Sequence, residues 1–266
     1  MSGTEGNLGR LFLRHYSSLK QLGRLPVVGP WFSWAAGRAV PRDSLVWTQV
    51  RTGPAEGIWL HLNPRTAAGT INGTGERVEL EVVNEHLRDG MTFYDVGANI
   101  GIFSMMAARV VGPRGRVVSF EADPEIAERL QEHANRNGFS WVNVEQKAAW
   151  CESGKILFER VDPAVSPDRG VGHVVDSPTE TAVSLDAVAL DDCVEKYPAP
   201  DFIKCDVEGA ETEVFQGARK LLEKKRPGIL IEIHTAANRS FLLEEFARLH
   251  YRCTDCDELH ILALPQ

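Results

Sequence analysis

The sequence predicts an α/β protein in which helices cover both faces of a parallel sheet. Two observations carry this prediction. From residue 92 onward, short apolar stretches alternate with amphipathic stretches of helical length. The chain has 266 residues, which is enough for one large α/β domain with an added segment. The stretches expected as strands of the sheet are 92–96, 116–121, 142–147, 201–206 and 228–233.

The remaining elements follow from the same patterns. The expected helices are 76–88, 101–111, 123–136, 208–224 and 237–248. An earlier strand is expected within 57–64, and the last residues predict two short strands around Asp257 and Glu258, a hairpin-like ending. The stretch 151–200, between the third and fourth strands of the sheet, is predicted to be long and irregular.

The N-terminal residues differ in charge from the rest of the chain. Residues 1–42 hold six basic side chains and one acidic one, a net charge of +5, so the remainder carries −13 of the total of −8. Within them, 8–22 has apolar residues at helical spacing, and 25–41 is aromatic but broken by glycine and proline. We expect 1–55 to be an arm and 56–266 the main domain. The arm either packs on its own domain or on a second copy in a homo-oligomer, or uses 8–42 to contact a membrane surface or a lipid-linked substrate.

Composition excludes some functions and leaves others open. The net charge of −8 disfavours a general nucleic-acid binder, which needs a basic face. We find no secretory signal and no apolar run long enough for a membrane span, so we expect a cytoplasmic protein, peripheral at a membrane if the arm binds one. Cys253 and Cys256 form an isolated C-x-x-C, which indicates either packing or a redox or metal role.

A glycine-containing loop follows the first strand of the predicted sheet, in FYDVGANIGIFS (93–104). A dinucleotide fingerprint starting at Gly97 would require glycine at 99 and 102, where the chain has Asn99 and Ile102. The loop fits acid-x-Gly-x-Gly-x-Gly with Asn99 at the middle glycine, because asparagine tolerates a left-handed backbone. An acid beside such a loop suits the amino group of S-adenosylmethionine. We therefore assign Asp95, Gly97, Asn99 and Gly101 to this cofactor.

The second strand of the sheet ends in another acid, Glu121. An acid at this point accepts hydrogen bonds from both ribose hydroxyls, in dinucleotide sites as well, so Glu121 supports adenosine binding in general. Ala122 and Ala148 complete the predicted cofactor-binding set. Asp123 and Pro124 are expected to begin the next helix as its cap and first residue.

A second group of polar residues lies in DFIKCDVEGAE (201–211) and GILIEIH (228–234). Strand periodicity and the crevice at the carboxyl ends of parallel strands predict that Asp206, Glu232 and His234 converge. Two alternatives remain. Asp206 and Glu208 cap the helix 208–224 and compensate its dipole, or His234 is a hydrogen-bonded histidine at a strand end with no further role.

These stretches, with SFEADPE and FIKCDVEGAETEVFQGARKLL in the same order, resemble the FkbM family of S-adenosylmethionine-dependent methyltransferases over roughly residues 69–235. The resemblance implies a class I methyltransferase fold, a Rossmann-like three-layer sandwich whose mostly parallel seven-stranded sheet has an antiparallel last strand. It also implies methylation of a hydroxyl group on a sugar, a glycan or a polyketide-like small molecule. DVEG stands where many amino-methylating enzymes have [DN]-P-P-[FY], which favours an oxygen acceptor.

The expected chemistry assigns roles to the second group. His234 is the candidate general base or metal ligand, and Asp206 and Glu232 are candidate ligands of Mg²⁺, with Asp206 also at the cofactor. Lys204 is the alternative group for stabilising the alkoxide. The loop 162–179 either closes over the acceptor or is a plain surface loop. Two other functions stay open: a nucleotide-dependent oxidoreductase, and a non-catalytic module that binds membranes through the arm.

Overall fold

The computed structural model describes residues 45–159, 173–174 and 182–266. These residues form two compact units, divided between Arg77 and Val78. Most of the predicted arm, including the stretch 8–22 with its apolar residues at helical spacing, lies outside the described residues. The boundary between residues 55 and 56 therefore stays a prediction.

In the first unit, the described residues from 45 onward form a small hairpin and a short helix. Strands β1 (Val46–Gln49) and β2 (Trp59–Leu62) pair antiparallel, and β2 lies within the predicted 57–64. The helix α1 (Ala68–Asn72) ends at Gly73. The Arg51 guanidinium donates to the side-chain oxygen of Asn72 at 3.1 Å, which joins the helix to the chain that follows the hairpin's first strand.

The second unit holds the remaining elements. Its strands are β3 (Thr92–Val96), β4 (Arg116–Phe120), β5 (Val142–Glu145), β6 (Ala148–Ala149), β7 (Gly154–Glu159), β8 (His173–Val174), β9 (Ala182–Val188), β10 (Phe202–Cys205), β11 (Gly228–Glu232), β12 (Tyr251–Asp255) and β13 (His260–Pro265). The helices from the boundary onward are α2 (Arg77–His86), α3 (Ile102–Val111), α4 (Pro124–Asn137), α5 (Leu190–Cys193), α6 (Glu211–Gln216), α7 (Arg219–Lys224) and α8 (Ala236–Arg248).

Seven of these strands form the central sheet in the order β12-β13-β11-β10-β3-β4-β5. All of the recorded pairings are parallel except those of β13, which runs antiparallel to both β11 and β12. Every residue of β3 and β10 is buried, as expected for parallel strands that are covered on both faces. The predicted fold class and its antiparallel last strand are confirmed.

Local signals position two helices that follow strands of this sheet. The Asp123 carboxylate accepts from the backbone N–H groups of Glu125 and Ile126, and Pro124 occupies the first turn, so the predicted start of α4 is confirmed. Thr235 caps α8 in the same way, accepting from the N–H of Asn238. Both caps begin just beyond a strand end, so they fix where the chain turns away from the carboxyl edge of the sheet.

The stretch 151–200, predicted to be irregular, contains much of a second sheet, and that prediction is wrong. This sheet has the order β6-β9-β7-β8, and β7 pairs antiparallel with β9 over six residues. Both strands are mostly half-buried or exposed, so their sequences show little of the apolar contrast that marks a strand. The loop 162–179 lies outside the described residues except for His173–Val174.

The single helix predicted over 208–224 is also wrong, because the chain forms α6 and α7 instead. Glu208 and Gly209 have φ of 53° and 103°, which no α-helix accommodates, so α6 begins only at Glu211. At the junction of the two helices, a Cβ on Gly217 would lie 2.1 Å from the carbonyl oxygen of Trp150. The Asp191 carboxylate, from a distant part of the chain, accepts from the N–H groups at the start of α7.

Candidate active site

The site lies at the carboxyl edge of the central sheet, where four neighbouring strands end level with one another. Val96 at the end of β3 pairs with Phe120 of β4 on one side and with Cys205 of β10 on the other. Cys205 in turn pairs with Ile231 of β11. The polar residues that follow these four strands are therefore brought to one edge, as the rule for open α/β sheets predicts.

The glycine loop has the backbone that its sequence predicts. Gly97, Asn99 and Gly101 have φ of 72°, 48° and 82°, so all three positions of the pattern are left-handed. The Asn99 side-chain oxygen accepts from the next N–H, that of Ile100, at 2.8 Å. This local bond is the reason asparagine replaces glycine at the middle position at small cost.

Gly97 also links the two halves of the site. One half is the glycine loop with the acids beside it, which we call the cofactor half, and the other is the second polar group, which we call the acceptor half. A Cβ at this position would lie 1.7 Å from the carbonyl oxygen of Asp206, which follows β10. The N–H of Asp206 donates to the Val96 carbonyl at 3.0 Å, just before the loop. The loop and the start of the second polar group therefore touch backbone to backbone, which requires the absence of a side chain at Gly97.

Asp95 is fully buried beneath the loop and retains an unused acceptor. Its Oδ2 accepts from the hydroxyl of Ser104, while among the described residues no group donates to its buried Oδ1. The pKa of this carboxyl is raised, because burial outweighs the positive charge of Lys204 and the hydrogen bonds from Ser104. A buried acceptor without a partner is costly, so this oxygen fits an amine donor supplied by a ligand, as the predicted role requires.

Glu121 is buried beside the same loop. Its two oxygens accept from the N–H groups of Asn99 and Asp123, each at 2.8 Å. Burial raises its pKa to about 7, although both of these hydrogen bonds favour the charged form. Each oxygen keeps a further lone pair for a ribose hydroxyl. Ala122 follows β4 and Ala148 follows β5, and their contact with a cofactor stays a prediction.

The second polar group converges as predicted. One ligand atom from each of Asp206, Glu232 and His234 lies within 4.8 Å of the other two. The Nε2 atom of His234 is 3.9 Å from Asp206 Oδ1 and 3.6 Å from Glu232 Oε1. Glu208 joins them, with its Oε2 at 3.5 Å from the same nitrogen. Because Ala210 is the N-cap residue of α6, Asp206 and Glu208 do not cap this helix, and that part of the alternative is wrong. Their compensation of the helix dipole stays a prediction.

Lys204 lies between the two halves of the site. Lys204 lies opposite Asp95 in the parallel register of β10 and β3, and its buried ammonium is 3.2 Å from Asp206 Oδ2. The same ammonium lies 4.9 Å from the centre of the Phe103 ring, a cation–π distance. Lys204 therefore compensates the charge of Asp206 first, and its predicted action on an alkoxide stays a prediction.

Sequence reasoning missed Glu211, which contacts the other nitrogen of the His234 ring. Glu211 is fully buried, and its Oε1 lies 2.7 Å from His234 Nδ1. Burial lowers the pKa of His234, but the hydrogen bond to Glu211 and the surrounding carboxylates outweigh burial, so the pKa is raised. The letters DVEGAE contain Glu211, but an acid in the expected first turn of a helix is ordinary, so nothing local indicated burial.

His260 is a second histidine that sequence reasoning missed. It faces Glu232 in the antiparallel register of β11 and β13, and its Nε2 is 3.3 Å from Glu232 Oε2. Its Nδ1 lies 2.9 Å from Asp257, and Glu79 is also close. Burial lowers the pKa of His260, but the bonds to Glu232 and Asp257 raise it to about 9. His260 is therefore a cation that anchors Glu232 from outside the site.

The thiols of the C-x-x-C motif take part in none of the side-chain contacts described above. Cys253 is in β12 and Cys256 follows the same strand, and both are free thiols that are half-buried. Burial raises the pKa of each thiol, which disfavours the reactive thiolate. This favours packing over the redox alternative. No helix in the described part of the chain is long and apolar enough to cross a membrane.

The sheet order, the left-handed glycine loop and the acids at two successive strand ends define a class I methyltransferase fold. The sequence comparison agrees, since residues 95–257 match the Methyltransferase FkbM domain. The chain belongs to this family. Membership also decides against the oxidoreductase alternative.

Two curated relatives and one solved structure illustrate the similarity. The hexuronic acid methyltransferase AglP of Haloferax volcanii is 28% identical over 166 residues, which are 62% of this chain and 64% of that protein. A protein-L-isoaspartate O-methyltransferase of Ignicoccus hospitalis is 31% identical over 105 residues, 40% of this chain and 48% of that one. A methyltransferase FkbM from Methylobacillus flagellatus KT superimposes with a TM-score of 0.48 at 20% identity, covering 75% of this chain and 54% of that one. The chain thus spans less than two thirds of the length of these relatives.

Proposed function

We propose that this protein is an S-adenosylmethionine-dependent O-methyltransferase whose acceptor is a hydroxyl group of a sugar, a glycan or a polyketide-like small molecule. The observation that carries the proposal is the junction of Gly97 with Asp206, which joins the cofactor loop to the histidine-bearing group across one edge of the sheet. The similarity to a protein named as a hexuronic acid methyltransferase supports a sugar acceptor.

The cofactor half of the site would hold S-adenosylmethionine through three groups. Asp95 Oδ1 would accept from the amino group, Glu121 would accept from the ribose, and the left-handed loop 97–101 leaves room for close backbone approach. When bound, the cofactor supplies an electrophilic methyl group on a sulfonium.

The acceptor half would remove the proton of the attacking hydroxyl. In this proposal His234 Nε2 takes that proton while the oxygen forms its bond to the methyl carbon and the sulfur–methyl bond breaks. The imidazolium that results is stabilised by Glu211 on one nitrogen and by Asp206, Glu208 and Glu232 around the other. Orientation of the hydroxyl in line with the methyl group supplies the rest of the acceleration.

The same group is also our candidate site for a divalent cation such as Mg²⁺. Asp206, Glu232 and His234 would be its ligands, since their ligand atoms lie close together. Carboxylates suit Mg²⁺ or Mn²⁺, whereas the imidazole nitrogen favours softer ions. Methyl transfer measured after chelation, and again with each ion restored, separates this version from the one in which His234 acts as a base alone.

Ligand binding tests the proposed function first. S-adenosylhomocysteine is expected to raise the melting temperature of the protein by several degrees, and NAD is expected to have no effect. Methyl transfer is then measured with a panel that pairs a neutral methyl glucoside with the corresponding methyl glucuronide, and adds lipid-linked glycans and macrolide alcohols. If millimolar S-adenosylhomocysteine leaves the melting temperature unchanged, the proposal is refuted before any acceptor is tried.

We further propose that residues 8–42 bring the protein to an anionic membrane or to a lipid-linked acceptor. The net charge of +5 on residues 1–42 and their tryptophan and phenylalanine residues support this. Sedimentation with vesicles tests it: the full chain is expected to bind vesicles that contain phosphatidylserine more strongly than vesicles of phosphatidylcholine alone. Equal binding to both vesicles, or binding to neither, contradicts the membrane version. Equal transfer rates of the full chain on a lipid-linked glycan and on the same glycan without its lipid contradict the version with a lipid-linked acceptor.

A further inference from the structure

We propose that Glu211 is a positioning residue that keeps a proton on Nδ1 of His234 and so turns the Nε2 lone pair toward the acceptor. This inference rests on the proposed function, because it concerns the histidine that we take to act there. Glu211 itself does not face the acceptor side, since its oxygens are taken up by three neighbours and its side chain is fully buried. Its effect on the reaction would pass through His234.

The Glu211 carboxylate has three neighbours, of which the Gly209 N–H and the Asn238 amide donate to it. Oε1 accepts from the N–H of Gly209 at 2.8 Å and lies 2.7 Å from His234 Nδ1. Oε2 accepts from the side-chain amide of Asn238. A carboxylate buried without charge compensation is costly, and donors on both oxygens are what reduce that cost. With the carboxylate ionised, only an Nδ1–H group completes this arrangement, so His234 carries its proton there.

The orientation of Asn238 is itself determined by other bonds. Its amide nitrogen also donates to the Gly209 carbonyl at 2.8 Å, and its oxygen lies 3.1 Å from the hydroxyl of Thr212, which donates to it. Its backbone N–H is held by the cap residue Thr235. Turning the amide over would break the bond to the Gly209 carbonyl and place the amide oxygen against Glu211 Oε2, whereas the Thr212 hydroxyl can donate or accept. Asn238 therefore offers Glu211 a donor and never an acceptor, so position 211 requires two accepting oxygens.

The consequence appears at the opposite nitrogen of the ring. With the proton on Nδ1, neutral His234 presents a bare lone pair at Nε2, which faces the carboxylates of Asp206, Glu208 and Glu232 at 3.5–3.9 Å. Their negative charge attracts a proton or a cation to that position. A ring with its proton on Nε2 would have neither a base nor a ligand atom on the acceptor side. Glu211 thus determines whether His234 Nε2 can accept a proton as a general base or bind a metal ion as a ligand.

Nitrogen NMR tests the proposal without an acceptor. In the full chain labelled with ¹⁵N-histidine and saturated with S-adenosylhomocysteine, the neutral His234 ring is expected to be protonated at Nδ1 and bare at Nε2. Its signals are assigned by their loss in His234→Asn. A wild-type ring that carries its proton on Nε2 overturns the proposal, whatever any variant does.

Glu211→Gln supplies the second arm. The Gln amide must direct one N–H at Gly209, Asn238 or His234, so the ring is expected to shift toward the Nε2–H form. With the best acceptor of the glycoside panel, kcat is expected to fall by ~10²-fold at unchanged affinity for S-adenosylhomocysteine. Glu213→Gln, two residues along the same helix, is the matched control and is expected to keep wild-type rates.

A double-variant cycle separates positioning from a general structural role. In the His234→Asn background, Glu211→Gln is expected to cost little further rate, because its effect passes through the ring. An equal loss in both backgrounds overturns the proposal. If the proposed function is wrong, the protein will not bind S-adenosylhomocysteine, or His234→Asn will keep full activity. The NMR result on the wild-type protein does not depend on activity, so it tests the role of Glu211 separately.

Discussion

The two halves of the site are built by different means. The half that we propose for the cofactor is a backbone structure: three left-handed residues within 97–101, with Asp95 and Glu121 buried beneath them. The half that we propose for the acceptor is a side-chain structure drawn from the ends of β10 and β11 and from α6, and His260 of the adjacent β13 supports it from outside. The first is defined by about thirty consecutive residues, and the second by segments far apart in the chain.

We expect this difference to separate binding of the methyl donor, which family members share, from recognition of the acceptor, which varies. A backbone cradle depends on glycine and asparagine at a few positions and tolerates change elsewhere. A side-chain assembly changes its charge and shape with single substitutions. The family's methyl donor is expected to depend on the first half, and the identity of the acceptor on the second. The predictions below test that separation, beginning with the change that should damage both halves.

Gly97→Ala should reduce cofactor affinity and methyl transfer the most, because Gly97 lies at the contact between the two halves. The new Cβ would meet the Asp206 carbonyl at 1.7 Å, in a backbone conformation with φ of 72°. We expect affinity for S-adenosylhomocysteine to fall by ~10²-fold or more, with loss of methyl transfer, measured by calorimetry and a transfer assay. Gly138→Ala has nearly the same φ, 74°, but open space around it, so it should cost only about 1–2 kcal/mol of stability. Equal effects of the two substitutions would refute the close-contact explanation.

His234→Asn should damage the acceptor half alone. Asparagine keeps a donor near the position of Nδ1 for Glu211 but has no Nε2, so kcat should fall by ~10²–10⁴-fold while cofactor affinity stays within about twofold. The exposed His250, outside the carboxyl edge, provides the control as His250→Asn, which also suits its φ of 57°. A parallel loss of cofactor binding in His234→Asn would show that the halves are not separable.

Cofactor binding should depend on pH through Glu121. Its pKa is raised to about 7 by burial, and only the charged form offers full acceptors to the ribose. Lowering the pH from 8 to 6 protonates the group, so Kd for S-adenosylhomocysteine should rise by roughly tenfold. Glu121→Gln, which does not titrate, should bind more weakly and show a flat profile. The same slope in this variant would assign the titration to another group.

The rate should depend on pH through His234, in the acceptor half. Only the deprotonated ring accepts a proton, and the pKa of this ring is raised above 6.5 by Glu211 and the nearby carboxylates, which outweigh burial. The rate under saturating cofactor should therefore fall as the pH drops through a value above 6.5, and Glu211→Gln should move that limb to lower pH. A wild-type limb below 6.5 would contradict the raised pKa.

The smallest effect is expected at the cysteines, which belong to neither half. Cys253→Ser and Cys256→Ser should keep cofactor affinity and transfer rates within about twofold, because burial raises both thiol pKa values and disfavours thiolate chemistry. Activity assayed under reducing and oxidising conditions measures this. A rate that depends on the redox condition in the wild type but not in the variants would restore the redox alternative.

Several features were predictable because their causes are local. Asp123 and Pro124 identify the start of α4, and the left-handed backbone at Asn99 follows from the spacing of its neighbours. The convergence of Asp206 and His234 also followed, from strand periodicity and the common edge of parallel strands. Failures occurred where distant chain decides. The break at Gly217 depends on the Trp150 carbonyl, and β7 becomes a strand only by pairing with β9.

The sequence by itself determined the fold class, the cofactor loop and the acids that end its strands, because neighbouring residues encode turns, caps and apolar periods. Only the tertiary structure decided that Glu211 is buried against His234 and that His260 anchors Glu232 across the sheet. Burial and charge pairing depend on which segments pack together, and that information is spread over residues 79–260. The full set of residues in the acceptor half can therefore be identified only from the tertiary structure, whereas the cofactor half can be identified from the sequence.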